Sequence, residues 1–392
     1  MPLSKATLDH GTEVAAALLG LDHLYRRESG DSDGLAVLNL DTEKLIPAES
    51  FADYREARRR FEELEMRAAG LPEPDRRVYY TDLAGSTSAF MTWRETGLPF
   101  REQLIAFLRV PAEPAAEAEL DRLRQAIKAP LDRLGYRGSL ADQCAEWEAR
   151  HRVPAEDVPN VLGGLLAEAW DRTEKRLMPI PAPKSDGMTV RPVTGGAFNA
   201  RCSFLDRQIE INTDPILTRP GLKHLAVHEG YPGHYLQFKL REVWYRDGVA
   251  PADGLLSCVN TASSSVFEGI ADAGMTMIDW IESDDDRVQL ALNRYRVGLG
   301  TAAAWRLHAL GWPEPAVGDW LHAAALTGGE GWVANRLAFI RAPARAVLIW
   351  SYWWGEPTVT NAWNRVETAR RHEFLEYLHG RMHSIASLGM FR

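Results

Sequence analysis

The sequence predicts a mainly α-helical fold, and three observations carry that reading. Apolar residues recur at spacings of three and four over long stretches. Strand-like alternation is confined to one short region. Acidic clusters and Gly/Pro pairs stand where helices would start and stop. Leu120, Leu123, Ile127, Leu131 and Leu134 fall on one face of a helix. Asp284 to Asp286 open a second long segment, through Leu290, Tyr295, Leu299 and Ala302, with the acids at the positive helix end. Gly311-Trp312-Pro313 stops it, and the stretch from Thr358 to about Leu388 is predicted helical as well.

Two regions break the helical period. The Pro- and Gly-rich run MPIPAPKSDGM (178–188) predicts a surface loop, which separates an N-terminal helical region (1–177) from a second region (178–392) within one continuous fold around a cleft. Phe198 to Phe204 and Gln208 to Asn212 alternate on either side of Leu205-Asp206-Arg207 and predict a β-hairpin. The run GDSDG near residue 32 has the look of a calcium loop, but Leu40 stands where the bidentate Glu belongs, so a turn is expected. GSTSAF (85–90) is not a G-x-S-x-G elbow, and its hydroxyls are expected in turns or caps.

Composition narrows the function classes. With 392 residues, 45 % hydrophobic and 25 % charged, the chain can bury a sizeable core. A net charge of −9 argues against nucleic acid and anionic membranes as partners, since both need clustered Lys and Arg. Cys144, Cys202 and Cys258 are few and dispersed, which fits a reducing compartment. Neither a secretory leader nor a membrane-spanning run is expected, so the expected location is cytoplasmic.

The segment that carries chemistry is His228-Glu229-Gly230-Tyr231-Pro232-Gly233-His234. In the helical HExxH arrangement two His four apart share a face and bind zinc, and the intervening Glu addresses a water. Here the second His comes six residues after the first. On an ideal helix that is a rotation of roughly 600°, about 120° short of two turns. A bulge or kink at Pro232-Gly233 would bring His234 back to the metal, because proline ends the hydrogen-bond ladder and glycine tolerates unusual backbone. HEGYPGH is therefore an expanded HExxH. Downstream, Glu268 and Asp272 are four apart on one helix face in an apolar, small-residue setting. This suits Glu268 as third ligand and Asp272 as acceptor for the far ring nitrogen of a ligand His. His224, four residues before His228, is expected to be an ordinary helix histidine.

These residues resemble a bacterial family long labelled domain of unknown function 885. Its members look like metallopeptidases of the gluzincin type, with an H-E-G-x-P-G-H motif and a later E-G-x-A segment. The matches here are His228 to His234 and Glu268-Gly269-Ile270-Ala271. Leu307-His308-Ala309-Leu310-Gly311-Trp312 is similar to the family's L-H-x-x-G-W stretch, and Tyr352-Trp353-Trp354-Gly355 to a Tyr-x-x-Gly segment. The likeness runs from about residue 195 to the end and more loosely from about residue 100. The chain departs at Pro343-Ala344-Arg345, where the family has Pro-Gly-Gln. The resemblance implies a gluzincin-like helical metallohydrolase, with a small hairpin or sheet beside the motif helix.

The chemistry expected is then definite. One zinc ion per chain is held by His228, His234 and Glu268, and Glu229 acts as general base. Tyr352 is the expected oxyanion donor, ahead of Tyr231, Arg345 and His308. Asn199, Arg201 and Asn212 on the hairpin, with Arg345 and His308, are the expected substrate contacts. The substrate is expected to be a small peptide or amide. Two other readings share the motif: an amidohydrolase acting on a non-peptide small molecule, and a helical protein that holds metal or ligand without turnover. Oligomeric state is left open by the sequence.

Overall fold

The computed structural model describes residues 3–29 and 37–391, and the chain is mainly helical. In order, the elements begin with α1 (Lys5–Ser29), β1 (Val37–Asn39), α2 (Tyr54–Ala68), α3 (Pro74–Thr96) and α4 (Phe100–Leu108). There follow α5 (Glu117–Arg133), α6 (Leu140–His151), α7 (Val158–Arg176), β2 (Thr189–Val193), β3 (Ala200–Ser203), β4 (Gln208–Asn212) and α8 (Arg219–Leu225). A π-turn (Ala226–Gly230) leads to α9 (His234–Arg246), β5 (Leu256–Cys258), α10 (Ser264–Met277), α11 (Asp284–His308) and α12 (Glu314–Ala324). The chain ends with α13 (Gly329–Arg341), α14 (Pro343–Arg365), α15 (Arg371–His379) and α16 (Ile385–Leu388). GDSDG lies outside the described residues. Among the described residues no helix is long and apolar enough to cross a membrane.

The chain divides into two compact units, each gathered from separate segments. The first takes the chain up to Ala112, then Gln237–Ile270, then Trp350 onward; the second takes Glu113–Leu236 and Ala271–Ile349.

In the first unit, α3 packs against α2 and α4, and α1 against α2. Asp53 caps α2 by accepting from the Glu56 N–H at 2.8 Å, and the buried Ala57, Phe61, Leu64 and Ala68 repeat at helical spacing along it. GSTSAF falls inside α3, which corrects the expectation of turns or caps. Ser86 donates to the Asp82 carbonyl and Thr87 to that of Leu83, so the helix satisfies these hydroxyls itself. β1 pairs antiparallel with β5, Val37 opposite Cys258.

This unit also buries His10, His379 and His383, at 2 %, 0 % and 2 % exposure. Burial pushes His10 down to about 4 and His379 to about 3, and puts His383 well below its ordinary value. An unfolded chain protonates all three near pH 6.5, so stability is intact above that pH and is lost as pH falls. Each neutral His contributes about 1.4 kcal/mol per pH unit to that loss. Asp253 opposes it: burial raises its carboxyl to about 6, so below pH 6 the folded state takes up a proton there and offsets about one His. Denaturant unfolding is expected to show steadily lower stability from pH 6.5 to pH 4.5. A flat profile over that window would refute the assignment.

In the second unit, α5 lies along α11. Leu120, Ile127 and Leu131 of α5 are buried, as are Val288, Leu292, Tyr295 and Leu299 of α11. The predicted α5 face overshoots by one residue: the helix ends at Arg133, and Leu134 is its cap, 37 % exposed. α11 starts where the acids predict it, with Ser283 and Asp286 forming a reciprocal capping box. It ends before Gly311, whose φ of +68° is open to glycine. The predicted Thr358–Leu388 helix is real only in pieces. Thr358 lies well inside α14, which runs through Pro357, and the chain breaks before α15 and again before α16.

The predicted hairpin is present as β3 and β4, with Arg207 at φ +51° in its turn. It belongs to a three-stranded sheet of order β2-β4-β3, in which β2 runs parallel to β4. Ile209 and Ile211 fill the buried face. On the opposite face Glu210, itself buried, is paired by Arg191 and Arg201.

Candidate metal centre

Thr218 caps α8, accepting from the Gly221 N–H at 3.2 Å, and Lys223 ties the helix to Asp286 at 2.9 Å. After Leu225 the helix widens. The Tyr231 N–H reaches the Ala226 carbonyl at 3.2 Å, an i→i+5 bond, and the Gly233 N–H reaches the Val227 carbonyl at 3.0 Å. The Tyr231–Pro232 peptide is cis, and α9 restarts at His234. The expected bulge is there, but it begins at Ala226, ahead of Pro232. The result is that the His228 and His234 rings stand 4.7 Å apart, nearly perpendicular at 84°.

Glycine makes this path possible. A Cβ on Gly233 would sit 1.9 Å from the His228 carbonyl oxygen and 2.3 Å from that of Val227. On α10, a Cβ on Gly274 would sit 2.5 Å from Val227 Cγ1 and 3.2 Å from Pro232 Cδ. The motif thus rests directly on the α10 backbone.

One donor atom from each of His228, His234 and Glu268 lies within 4.8 Å of the others, and each residue is only 7 % exposed. Two imidazoles and a carboxylate form a set suited to zinc, whose bonds to such donors are about 2.0–2.2 Å. His228 Nδ1 meets Asp272 Oδ1 at 2.8 Å. Burial alone would raise the Asp272 carboxyl, but the neighbouring His228, and then His224, more than offset it and hold it well below the usual carboxylate range. An ionised carboxylate only accepts, so Nδ1 carries the proton and Nε2 keeps its lone pair for a metal. A second grouping, His224, His228 and Asp272, is built around that same hydrogen-bonded pair, with His224 Nε2 3.5 Å from Asp272. His224, expected to be an ordinary helix histidine, is thus a second support of Asp272. An Asp272→Asn variant is expected to bind zinc roughly 10–100-fold more weakly in chelator competition. Unchanged affinity would show that the pair does not orient His228.

Glu229 is buried in the same turn, at 5 % exposure. β3 packs against this turn. Burial first, and then the charge of Glu229, push the Cys202 thiol well above its ordinary value. Sequence reasoning missed Cys202. Its signal is the alternation of β3, which turns Cys202 toward the buried face shared with Ile209.

The other expected residues are distributed unevenly. Arg201 alternates with Cys202, so it points to the far face, held by Glu210 and stacked over Phe198 at 5.0 Å. Asn212 is buried and donates to the Gly196 carbonyl at 2.9 Å, which Asn335 also reaches. Asn199 is exposed, and its carbonyl accepts the Asn212 N–H. His308 donates through Nε2 to the Ile340 carbonyl at 2.6 Å, and burial lowers its pKa. Arg345 is half-buried in the first turn of α14. Tyr231 accepts the Met188 N–H at 3.2 Å and packs edge-on to Trp170 and Tyr235.

Tyr352 lies on α14 one turn before Gly355. A Cβ on Gly269 would meet the Gly355 carbonyl oxygen at 2.3 Å, and one on Gly355 the Ser265 carbonyl oxygen at 2.1 Å. The α10 and α14 backbones therefore touch beside Glu268, and i,i+3 spacing puts Tyr352 on the α14 face that meets α10.

Fold and site together define a mainly helical chain with a buried His-His-Glu donor set. Among the solved structures that share its fold are two described as follows. One is reported as "the putative lipoprotein from Colwellia psychrerythraea", with TM-score 0.55 and 14 % identity over 94 % of this chain and 68 % of that one. The other is "a putative lipoprotein of unknown function from Shewanella oneidensis", with TM-score 0.51 and 13 % identity over 86 % of this chain and 70 % of that one. At such identities the likeness is one of fold. No protein-family model and no curated protein sequence matches the chain.

Proposed function

We propose that the chain is a zinc-dependent, gluzincin-like hydrolase that cleaves peptide or amide bonds of small substrates. The observation that carries this reading is the convergence of buried His228, His234 and Glu268 within 4.8 Å, with Asp272 fixing the His228 ring. The resemblance of HEGYPGH and the Glu268 segment to the domain 885 family supports it. When bound, zinc acidifies water and polarises a carbonyl. Glu229, beside His228, accepts the proton of the attacking water and passes it to the departing amine. Asp272 keeps the proton on His228 Nδ1 throughout. Tyr352 donates to the oxyanion that develops on the carbonyl oxygen. Strand β3 is an edge of its sheet and lies against the Glu229 turn, which favours an extended peptide over a compact amide: such a chain adds to an edge by backbone hydrogen bonds.

The test is elemental mass spectrometry of the purified protein beside His234→Ala and Glu268→Ala, followed by a panel of peptides with free and blocked ends. About one zinc per chain, lost in both variants, is the expected result. No zinc after incubation with the ion would remove the reading. Zinc without cleavage of any peptide would shift it to a non-peptide amide.

A further inference from the structure

We propose that Tyr231 is a positioning residue whose hydroxyl couples the metal-binding turn to the segment 184–188, so that this segment closes when zinc is bound and opens when it is not. The inference rests on the zinc reading above. Tyr231 stands midway between the two histidines of that reading, three residues after His228 and three before His234. Its two ends are fixed to different things. At one end its N–H closes the π-turn on the Ala226 carbonyl at 3.2 Å. At the other its hydroxyl accepts the Met188 N–H at 3.2 Å. Between them the ring is 1 % exposed and is held edge-on by Trp170 at 4.8 Å and Tyr235 at 5.3 Å. A stiff ring so enclosed passes a shift of the turn on to Met188.

The segment leans on the two tyrosines of this turn. A Cβ on Gly187 would lie 3.8 Å from the Tyr231 hydroxyl oxygen, so the backbone passes close to it. The Tyr235 hydroxyl faces the Asp186 carbonyl at 3.5 Å. Lys184 also pairs with Asp171, and Asp186 with Arg207 at 3.1 Å, but both ion pairs are exposed and add little. Pro183, Lys184 and Ser185 are exposed as well. Zinc acts on the Tyr231 end. Two imidazoles gain nothing by directing lone pairs at one point until an ion lies between them, so binding stabilises the turn in the form described above. What favours that form favours the Tyr231–Met188 bond, and by linkage the closed segment favours zinc by the same factor. A hydroxyl that did no more than satisfy the Met188 N–H would hold the segment equally with and without the ion.

Limited trypsin digestion of the whole protein, loaded with zinc or stripped by chelator, reads the coupling at the exposed bond after Lys184. Cleavage after Arg137, exposed between α5 and α6 of the same unit, is the reference. Cutting of a native chain follows its open population. Zinc is expected to slow cleavage after Lys184 roughly tenfold and to leave cleavage after Arg137 unchanged. Tyr231→Phe should still bind zinc, be cut after Lys184 at one rate with and without it, and hold the ion roughly tenfold more weakly in chelator competition. Wild-type cleavage after Lys184 that ignores bound zinc would overturn the coupling and leave the zinc reading standing, whereas a wild type that binds no zinc removes both. A Tyr231→Phe protein with wild-type zinc affinity and wild-type protection by zinc would also overturn it. If that variant does not fold, His234→Ala takes its place: with zinc present it should be cut after Lys184 at the zinc-free rate, and protection there would overturn the proposal.

Discussion

Glu229→Gln is expected to bind zinc as wild type does and to lose turnover by roughly 10²–10⁴. The substitution keeps the shape of a side chain that is 5 % exposed and outside the metal donor group, so the fold and the ligand set have no reason to change. What disappears is the ability to accept a proton. Zinc content and kcat on any peptide from the panel that the wild type cleaves give the answer together. Full activity would show that some other group takes the proton. Loss of zinc together with activity would make Glu229 part of the metal site instead.

Gly233→Ala is expected to remove zinc without touching a ligand. The added carbon would lie 1.9 Å from one backbone oxygen and 2.3 Å from another, both within the widened turn. Backbone in a hydrogen-bonded turn cannot yield as a side-chain tip does, so the cost lies at or beyond about 3 kcal/mol. Relief comes by moving His234 away from His228. Zinc content well below one per chain and a lowered Tm are the expected readouts. Gly164→Ala on α7 serves as control: nothing lies within 4 Å of its added carbon, and the exchange should stabilise by about 0.5–1 kcal/mol. A Gly233→Ala protein with normal zinc would show that the turn does not depend on that glycine.

The convergence of His228, His234 and Glu268 was legible because its parts are local. HEGYPGH states its own conflict with helical geometry, and the structure resolves it with a π-turn of five residues, Ala226–Gly230. Glu268 and Asp272 are one helical turn apart, so their place on one face of α10 follows from spacing alone. The long helices α5 and α11 were legible for the same reason, since each buries one periodic face. Strand β2 was not. As an edge strand its sequence TVRPV presents no buried alternation, and its pairing with β4 depends on a parallel crossover that leaves no local mark. The two interleaved units are equally silent, because contacts between segments more than 100 residues apart have no periodicity to read. Asn212 and His308 have side-chain bonds that their sequence does not announce. Polar residues near a motif suggested substrate contact, whereas their side chains hydrogen-bond the backbone carbonyls of Gly196 and Ile340.

The meeting of Gly269 with Gly355 has a use in recognising distant relatives. Two kinds of residue surround this centre. Glu229, Asp272, His228, His234 and Glu268 would serve the proposed chemistry, whereas Gly233, Gly269, Gly274 and Gly355 are there because a carbon atom would not fit. The first kind can be dispensed with by a descendant that has no use for the proposed chemistry. The second cannot, so long as the helices cross as they do here. A remote sequence that keeps the four glycines but has lost Glu229 is then a fold-mate without the chemistry. One that keeps Glu229 but carries a side chain at the Gly355 position has a different crossing, and its carboxylates should not be read by analogy with these.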